Sequence, residues 1–454
     1  MSSLFGTMSV SLRALLAQQA ALQTTAENIG NVNTAGYARR RAVMIEDDPV
    51  LDGRLTIGNG VHLARIESLR DGTLEIRIHE ETQQQGELDG YIGAMRQVES
   101  LFSDVDHGIG AQLDKFFQSL TRLSTGADNI PLRQNVVTAA GNLASTFNNV
   151  ANRLKALQQT LDGGLVQAAS DINTITAQIA DLNVEVSRQR TLGDDAGTFE
   201  DQRTQLIREL SELVNVSVIN ADDGVTLTTA DGAALVVGAH AFQIETSLQS
   251  SGLRHVYSQG RDITSGISGG RMGGLLRARD AGAESLLSDL DRMASGVITE
   301  INAAHRQGFD LNGVAGQDLF APASPTDSAA KMRLVISDPA AIAASSDGSV
   351  GDSGNVSRLS DVATAAVISG QTPLDYYSGM VGRFGNDLGQ AEAEREAVDL
   401  IMRQLSNQRA AVSGVSLDEE AANLIRYQRA FEAAARVVSV IDDLTQTVIN
   451  LGRN

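Results

Sequence analysis

The residues of this chain that could carry chemistry are few and scattered. Histidines stand at 62, 79, 107, 240, 255 and 305, and cysteine is absent. Composition therefore excludes thiolate nucleophiles, disulfides and Cys-ligated zinc. A zinc-hydrolase helix needs two histidines one turn apart with a glutamate beside the first, and His79-Glu80-Glu81 lacks the second histidine. The glycines between Gly266 and Gly274 are not followed by the Lys-Ser/Thr pair that a phosphate-cradling loop requires. Asp310-Leu311-Asn312-Gly313 has its glycine in the wrong place for a calcium loop. Asp47-Asp48, Asp194-Asp195 and Asp222-Asp223 offer adjacent carboxylates suited to acid–base work, but acidic pairs in loops are ordinarily solvated. The sequence thus points away from an enzyme, with no cofactor and no metal site expected.

Charge narrows the partners. A formal net charge of -20 repels phosphate backbones and anionic membrane surfaces, and the cluster Arg39, Arg40, Arg41 is too small to reverse it. Nucleic acid and membrane are therefore not expected as partners. No segment supplies the roughly 18 consecutive apolar residues of a membrane helix. Met1 to Ala20 has no basic start, and Arg13, Gln18 and Gln19 interrupt its apolar stretch, so a cleaved secretory signal is not expected.

What could position functional groups is mostly helix. With 454 residues there is room for several domains, and 4% aromatic residues without Trp suits cores of Leu, Ile, Val and Ala. Phe5, Met8, Leu12, Leu15, Gln19, Leu22, Ala26 and Ile29 follow a heptad spacing that marks a helix of about 38 Å burying one seam. Gly30 and Asn31 stop it. From Asn31 to Leu69, glycines and Pro49 among β-branched residues read as turns and short extended pieces. Two helical stripes follow, Leu88 to Phe102 and Ile109 to Leu123. After Pro131 a long stripe runs from Val136 through Leu143, Leu154 and Leu161, and resumes through Leu165, Ile172, Ile175, Ile179, Leu182 and Val186. Gly163-Gly164 is its weak point.

A shorter helix near Phe199 to Leu213 gives way to β-branched runs: Val214 to Ile219, Val225 to Thr228, Ala233 to Val237 and Phe242 to Glu245. Asp223-Gly224 and Asp231-Gly232 mark hairpin turns. Helix returns through Leu275, Leu286, Leu290, Met293, Val297 and Ile301. One further strand is expected at Met332 to Ser337, and an exposed loop at Ser345 to Gly354. Ser416 and Glu419 form a capping box for a final helix whose stripe is Leu424, Tyr427, Phe431, Ala434, Val438 and Ile441, slipping by one position to Leu444, Val448 and Leu451.

Both chain ends carry apolar seams that neither helix can bury alone. The expected fold is mainly α with a small β insertion and an elongated outline. Residues 1–70 with 412–454 pair the terminal helices in a coiled-coil-like domain. Residues 71–213, 273–310 and 356–411 form a long helical bundle, and 214–272 with 311–355 form a distal β-rich domain.

Two motifs carry a family resemblance. Asn28 to Tyr37 reads Asn-Ile-Gly-Asn-Val-Asn-Thr-Ala-Gly-Tyr after an amphipathic helix, with Gly30 and Ala35 where alanine and proline are more usual. This resembles the N-terminal signature of flagellar axial proteins. Ser413 to Ala435, with Leu417 to Gln428 at its centre, is similar to the hook-associated protein 1 family in particular. Gly108 to Leu123, Asp201 to Ser211 with Gln202-Arg203 and Leu206, and Asn302 to Phe320 with His305 agree.

The resemblance implies a structural subunit that joins hook to filament. Such a subunit is exported without a cleaved signal by the flagellar type III apparatus and assembles outside the cell as a helical array. Its implied partners are other copies of itself, hook protein, a second junction protein or filament subunits, and an export chaperone. The implied axial interface comprises Leu12, Leu15, Leu22, Ile29, Leu424, Tyr427, Phe431, Val438 and Ile441. The N-terminal motif contributes Asn28, Asn31, Asn33, Gly36 and Tyr37, and Leu424, Phe431, Val438, Leu444 and Val448 are candidates for chaperone binding. Terminal helices without a burial partner are expected to stay mobile in the free monomer. Another axial part, hook or distal rod, or a flagellum-associated peptidoglycan hydrolase are the alternatives. The last would need a catalytic cleft for which the helical C-terminal half leaves no room.

Overall fold

The computed structural model describes residues 2–52, 55–102, 104, 106–192, 196–221, 224–322 and 326–451. The pairs Asp194-Asp195 and Asp222-Asp223 lie outside them. Helix α1 (Ser2–Gly30) ends in turns that carry Gly36 at φ 82°. A nested hairpin follows, with β1 (Arg40–Glu46) antiparallel to β4 (Val61–Ser68) and a short inner pair, β2 (Val50–Asp52) and β3 (Leu55–Ile57).

Asp71 starts the rod by accepting from the free amides of Thr73 and Leu74 at 2.9 and 3.2 Å, opening α2 (Gly72–Phe102). Next come α3 (Ile109–Leu123), α4 (Ile130–Leu192) and α5 (Gly197–Leu213). At 63 residues α4 is unbroken through Gly163-Gly164 and about 95 Å long. Val136, Leu143, Leu154, Leu161, Leu165, Ile172, Ile179 and Val186 are buried along it, as the stripe predicts. The stripe fails at two points, where Thr176 and Asn183 are buried in place of Ile175 and Leu182. Asn183 holds its seam position because it receives backbone groups of a sheet, whereas the Thr176 hydroxyl turns back to the Asn173 carbonyl of its own helix.

That sheet belongs to the β insertion. Strands β5 (Ser217–Ala221), β6 (Gly224–Thr228), β7 (Ala234–Val237) and β8 (His240–Ala241) pair in sequence order. Val214 and Val216, expected in the first strand, are instead buried before it, and Phe242 falls between strands. A second sheet of β9 (Ile244–Leu248), β10 (Arg254–Ser258) and β11 (Arg261–Asp262) lies within the expected β region of 214–272 but adds two strands, β10 and β11, past the last expected run. Asn183 and Asn173 of α4 act as strand edges for the two sheets. Asn183 Nδ2 donates to the carbonyls of Val225 and Gly238 while its Oδ1 accepts from Val225 N, and Asn173 exchanges both bonds with Ile244 at 2.8 and 2.7 Å.

The chain re-enters the rod through α6 (Gly270–Arg277), a π-helical turn at Ala278–Ala283, and α7 (Glu284–His305). Residues 311–355 contain β12 (Phe320–Ala321), the single turn α8 (Ser328–Lys331) and β13 (Arg333–Leu334), which is all that forms of the expected strand at Met332 to Ser337. This stretch meets α4 near its N-terminal half, through Arg133 to the Ile342 carbonyl and Asn148 to that of Ala329. The insertion at 214–272 meets the same helix between Asp162 and Asn183. His305, wholly buried, joins α7 to this stretch. Its Nε2 accepts from Ala343 N at 2.9 Å, so the proton sits on Nδ1, which donates to the Gln317 carbonyl. Burial holds its pKa below the ordinary value.

After α9 (Gly354–Asp361), Thr372 caps and Pro373 opens α10 (Pro373–Ser413), which returns antiparallel to α2, and α11 (Leu417–Leu451) closes the chain. Ser416 Oγ lies 3.5 Å from Glu419 N, giving half of the expected capping box. The Glu419 carboxylate is taken instead by Arg39 at 2.7 Å.

Candidate functional site

Helices α1 and α11 lie side by side, with the C-terminal end of α1 beside the first turns of α11, and the β1–β4 hairpin covers another side of α1. The most shielded residues of α1 are small or polar: Ala17, Ala21, Thr24, Thr25 and Asn28. Small side chains let α1 approach two neighbours at once. Of the heptad positions, Leu15, Leu22 and Ile29 are half-buried, whereas Leu12 is 49% exposed and Phe5 58%. On α11 the expected stripe does face inward. Ile441 is buried, and Leu424, Tyr427, Phe431 and Val438 are half-buried. The slip to Leu444 and Val448 does not occur. Both are exposed, and the inward position after Ile441 passes to Thr445. The pair thus has a closely packed inside and an apolar outside.

The motif at the end of α1 builds the joint to the rod. Asn28 is 1% exposed, and it binds the backbone of Arg40 like a strand partner, donating to its carbonyl and accepting from its N–H, both at 2.9 Å. The Tyr37 hydroxyl also donates to Asn28 Oδ1, at 2.8 Å. Asn31 holds the turn, with Nδ2 on the Glu27 carbonyl and Oδ1 accepting from Thr34. Gly36 needs its positive φ, and a Cβ there would sit 3.3 Å from Gln205 Oε1 of α5. Asn33 is exposed and takes no part in the joint.

Around this motif runs a half-buried set of ion pairs that sequence spacing did not reveal. Arg40, 6% exposed, reaches Asp201 of α5 at 3.1 Å and lies over the Tyr37 ring at 5.2 Å, and Arg70 engages the other Asp201 oxygen. Burial pushes the Asp201 carboxyl up, and the two guanidiniums offset part of that. Glu75 of α2 accepts from Arg409 of α10 at 2.7 Å and from Arg208 of α5 at 3.2 Å. Burial alone would raise Glu75, but these cations outweigh it and its pKa falls. Arg409 also donates to the Gly36 carbonyl at 3.1 Å. Arg39 ties the two strands of the crossing together, since its N–H donates to Ser413 O at 2.9 Å and its guanidinium holds Glu420, itself 2% exposed, at 2.7 Å.

His79 lies one turn beyond Glu75, 5% exposed, with neither ring nitrogen hydrogen-bonded. Burial lowers its pKa to about 4, Arg208 and Arg70 acting in the same direction against Glu75. The remaining chemistry-bearing residues do not converge. Asp47 pairs with Arg13 and His62, and His255 with Asp262. No group of three or more His, Asp or Glu able to hold a metal ion occurs among the described residues. No helix among them is long and apolar enough to cross a membrane. The arrangement is suited to holding two helical bodies at a fixed angle while presenting an apolar face.

Comparison with known proteins fits this geometry. Residues 95–320 match the family described as flagellar hook-associated protein FlgK helical domain. Residues 8–37 match the flagella basal body rod protein family, and 406–451 the flagellar basal body rod FlgEFG protein C-terminal family. The chain is 30% identical to flagellar hook-associated protein 1 of Bacillus subtilis (strain 168), across 99% of both chains. It is 25% identical to the proteins of that name from Escherichia coli (strain K12) and Salmonella typhimurium, across 97% of this chain and 98% of theirs. Its fold is similar to that of the flagellar hook junction protein FlgK from Burkholderia pseudomallei. The TM-score is 0.68 at 16% identity, covering 74% of this chain and 100% of that one.

Proposed function

The chain belongs to the flagellar hook-associated protein 1 family, and from that premise we propose that it is a structural subunit joining hook to filament, exported unfolded and assembled outside the cell as a helical array. The observation that carries this reading is the apolar outside of the terminal pair. Phe5, Leu12 and Leu16 on α1, with Ile425, Val440 and Leu444 on α11, are each about half exposed or more. Because each is already half covered, burying the six against sister subunits gains about half of the 1.5–3 kcal/mol of a fully exposed side chain apiece, roughly 5–9 kcal/mol together before the cost of association. Contacts repeated by a rotation and a rise continue indefinitely along an axis.

In this reading 1–70 with 412–454 form the axial stem, the helical rod stands outward from it, and the Asn28–Tyr37 motif with its ion pairs sets the angle between them. Hook protein lies on one side, and a second junction protein or filament subunits on the other. The export chaperone takes the C-terminal helix before assembly. Leu444 and Val448 are open to it, whereas Leu424, Phe431 and Val438 face α1, so a chaperone spanning all five competes with α1 for the same face.

Immunogold labelling of intact flagella tests the reading. Label confined to the boundary of hook and filament is expected. Label along the hook or in the rod would replace this assignment with another axial role.

A further inference from the structure

Four helical segments of the rod carry a glycine or a π-helical turn at one level. The π-helical turn Ala278–Ala283 lies beside Tyr91 and Met95 of α2, where a Cβ added to Gly282 would meet Met95. On α4, Gly164 packs on Leu275 of α6, with Gly163 next to it. On α2 there is Gly93. On α10 there are Gly385 and Gly389, flanked by Phe384, whose ring packs tilted against Phe102 with centroids 6.0 Å apart, and by Glu392, which pairs with Arg96. These cross-contacts put the elements within about 18 Å along the rod, three helical turns.

Packing accounts for Gly164 and Gly282 but not for the other four glycines named in this band. An alanine Cβ at Gly93, Gly163, Gly385 or Gly389 meets no atom within 4 Å, and none of the four takes a positive φ. Each lowers the stability of its helix relative to alanine without a packing gain in return. The adjoining π turn adds a second kind of irregularity, of the sort found where helices bend. A cavity of about 400 Å³ opens in the same band, lined by Tyr91, Arg277, Gly282, Asp289, Met380 and Phe384. Its walls include a methionine, whose side chain re-packs easily, and ion pairs such as Arg277 to Glu87 and Arg383 to Asp289 that tolerate small displacements.

We propose that this band is a bending hinge built into the rod, at which the outer part, with α3 and the N-terminal half of α4, tilts against the part attached to the terminal helices. The cavity gives the compressed side room to close. In an array of identical subunits such a hinge lets the outer parts adjust to unequal neighbours while the stem contacts stay the same. That use rests on the proposed junction role, whereas the hinge itself is a property of the isolated chain.

The absence of cysteine allows clean paired spin labels at Glu80→Cys on α2 and Thr299→Cys on α7, exposed positions on either side of the band. Double electron–electron resonance on the full chain is expected to give a broad distance distribution. It should narrow in the triple variant Gly163→Ala, Gly385→Ala, Gly389→Ala, and thermal melting of that variant should rise. Amides at the band should exchange roughly fivefold faster for each glycine than in its alanine variant. A narrow wild-type distribution, or one of equal width in the variant, overturns the hinge. A variant that melts lower overturns the claim that these glycines occupy unused space. Neither result bears on where the protein sits in the flagellum.

Discussion

Arg409 and Glu75 meet at 2.7 Å where the last rod helix returns to the first, and the same guanidinium reaches the Gly36 carbonyl in the turn that follows α1. One side chain thereby couples the outgoing chain, the returning chain and the terminal motif. Glu75 is buried, so removing a cation leaves a poorly compensated charge. Arg409→Ala is expected to cost about 2–4 kcal/mol in urea unfolding. A cycle with Glu75→Gln should show coupling above about 1 kcal/mol. Additive losses would mean that the two residues act independently.

Asn28 makes three bonds from a fully shielded position, and Tyr37 makes one of them. Asn28→Ala should therefore lose about 3 kcal/mol and Tyr37→Phe about 1 kcal/mol. Equal losses in denaturant titrations would refute the strand-partner role given to Asn28.

The pH dependence follows from His79. Its folded pKa of about 4 lies below the ordinary 6.5, so between these values the unfolded chain binds the proton more readily. Its contribution to stability is complete above pH 6.5 and is lost as pH falls towards 4, amounting to about 3 kcal/mol at most. His305 is shifted in the same direction by its burial, so its contribution too is lost as pH falls below 6.5. Unfolding free energies at pH 7.5 and 4.5 should differ less for His79→Leu than for the wild type. An unchanged difference would assign the acid sensitivity to other groups.

Leu12 and Phe431 separate assembly from folding. Leu12 is half exposed, so Leu12→Asp should leave monomer stability within about 0.5 kcal/mol while blocking filament attachment. Phe431 faces α1, and Phe431→Asp should both loosen the terminal pair, seen as faster amide exchange at Leu15 to Leu22, and block attachment. Normal filaments on cells carrying Leu12→Asp would show that assembly does not bury the apolar outside.

Large parts of this fold are legible in the sequence because a long helix repeats its burial demand every three or four residues. The run from Leu143 to Leu165 states its own seam. In α1 the same rule selected the large residues, yet the tightest packing belongs to Ala17, Ala21 and Thr25, since a helix pressed between two neighbours buries what is small. Asn173 and Asn183 were invisible because their partners are backbone groups brought in from the β insertion. The joint was hidden for a related reason. Arg40 with Asp201, and Glu75 with Arg208 and Arg409, are charged residues far apart in the chain, and periodicity carries no information about pairs closed by tertiary structure.

The bond from Arg39 N to Ser413 O closes the whole rod and both β regions into a loop springing from one neck. A neck of this kind makes everything beyond it exchangeable. Lengthening, shortening or replacing the outer body leaves the two strands at the base the same distance apart, so the parts that touch the axis and the parts that face the surroundings are free to evolve at different rates.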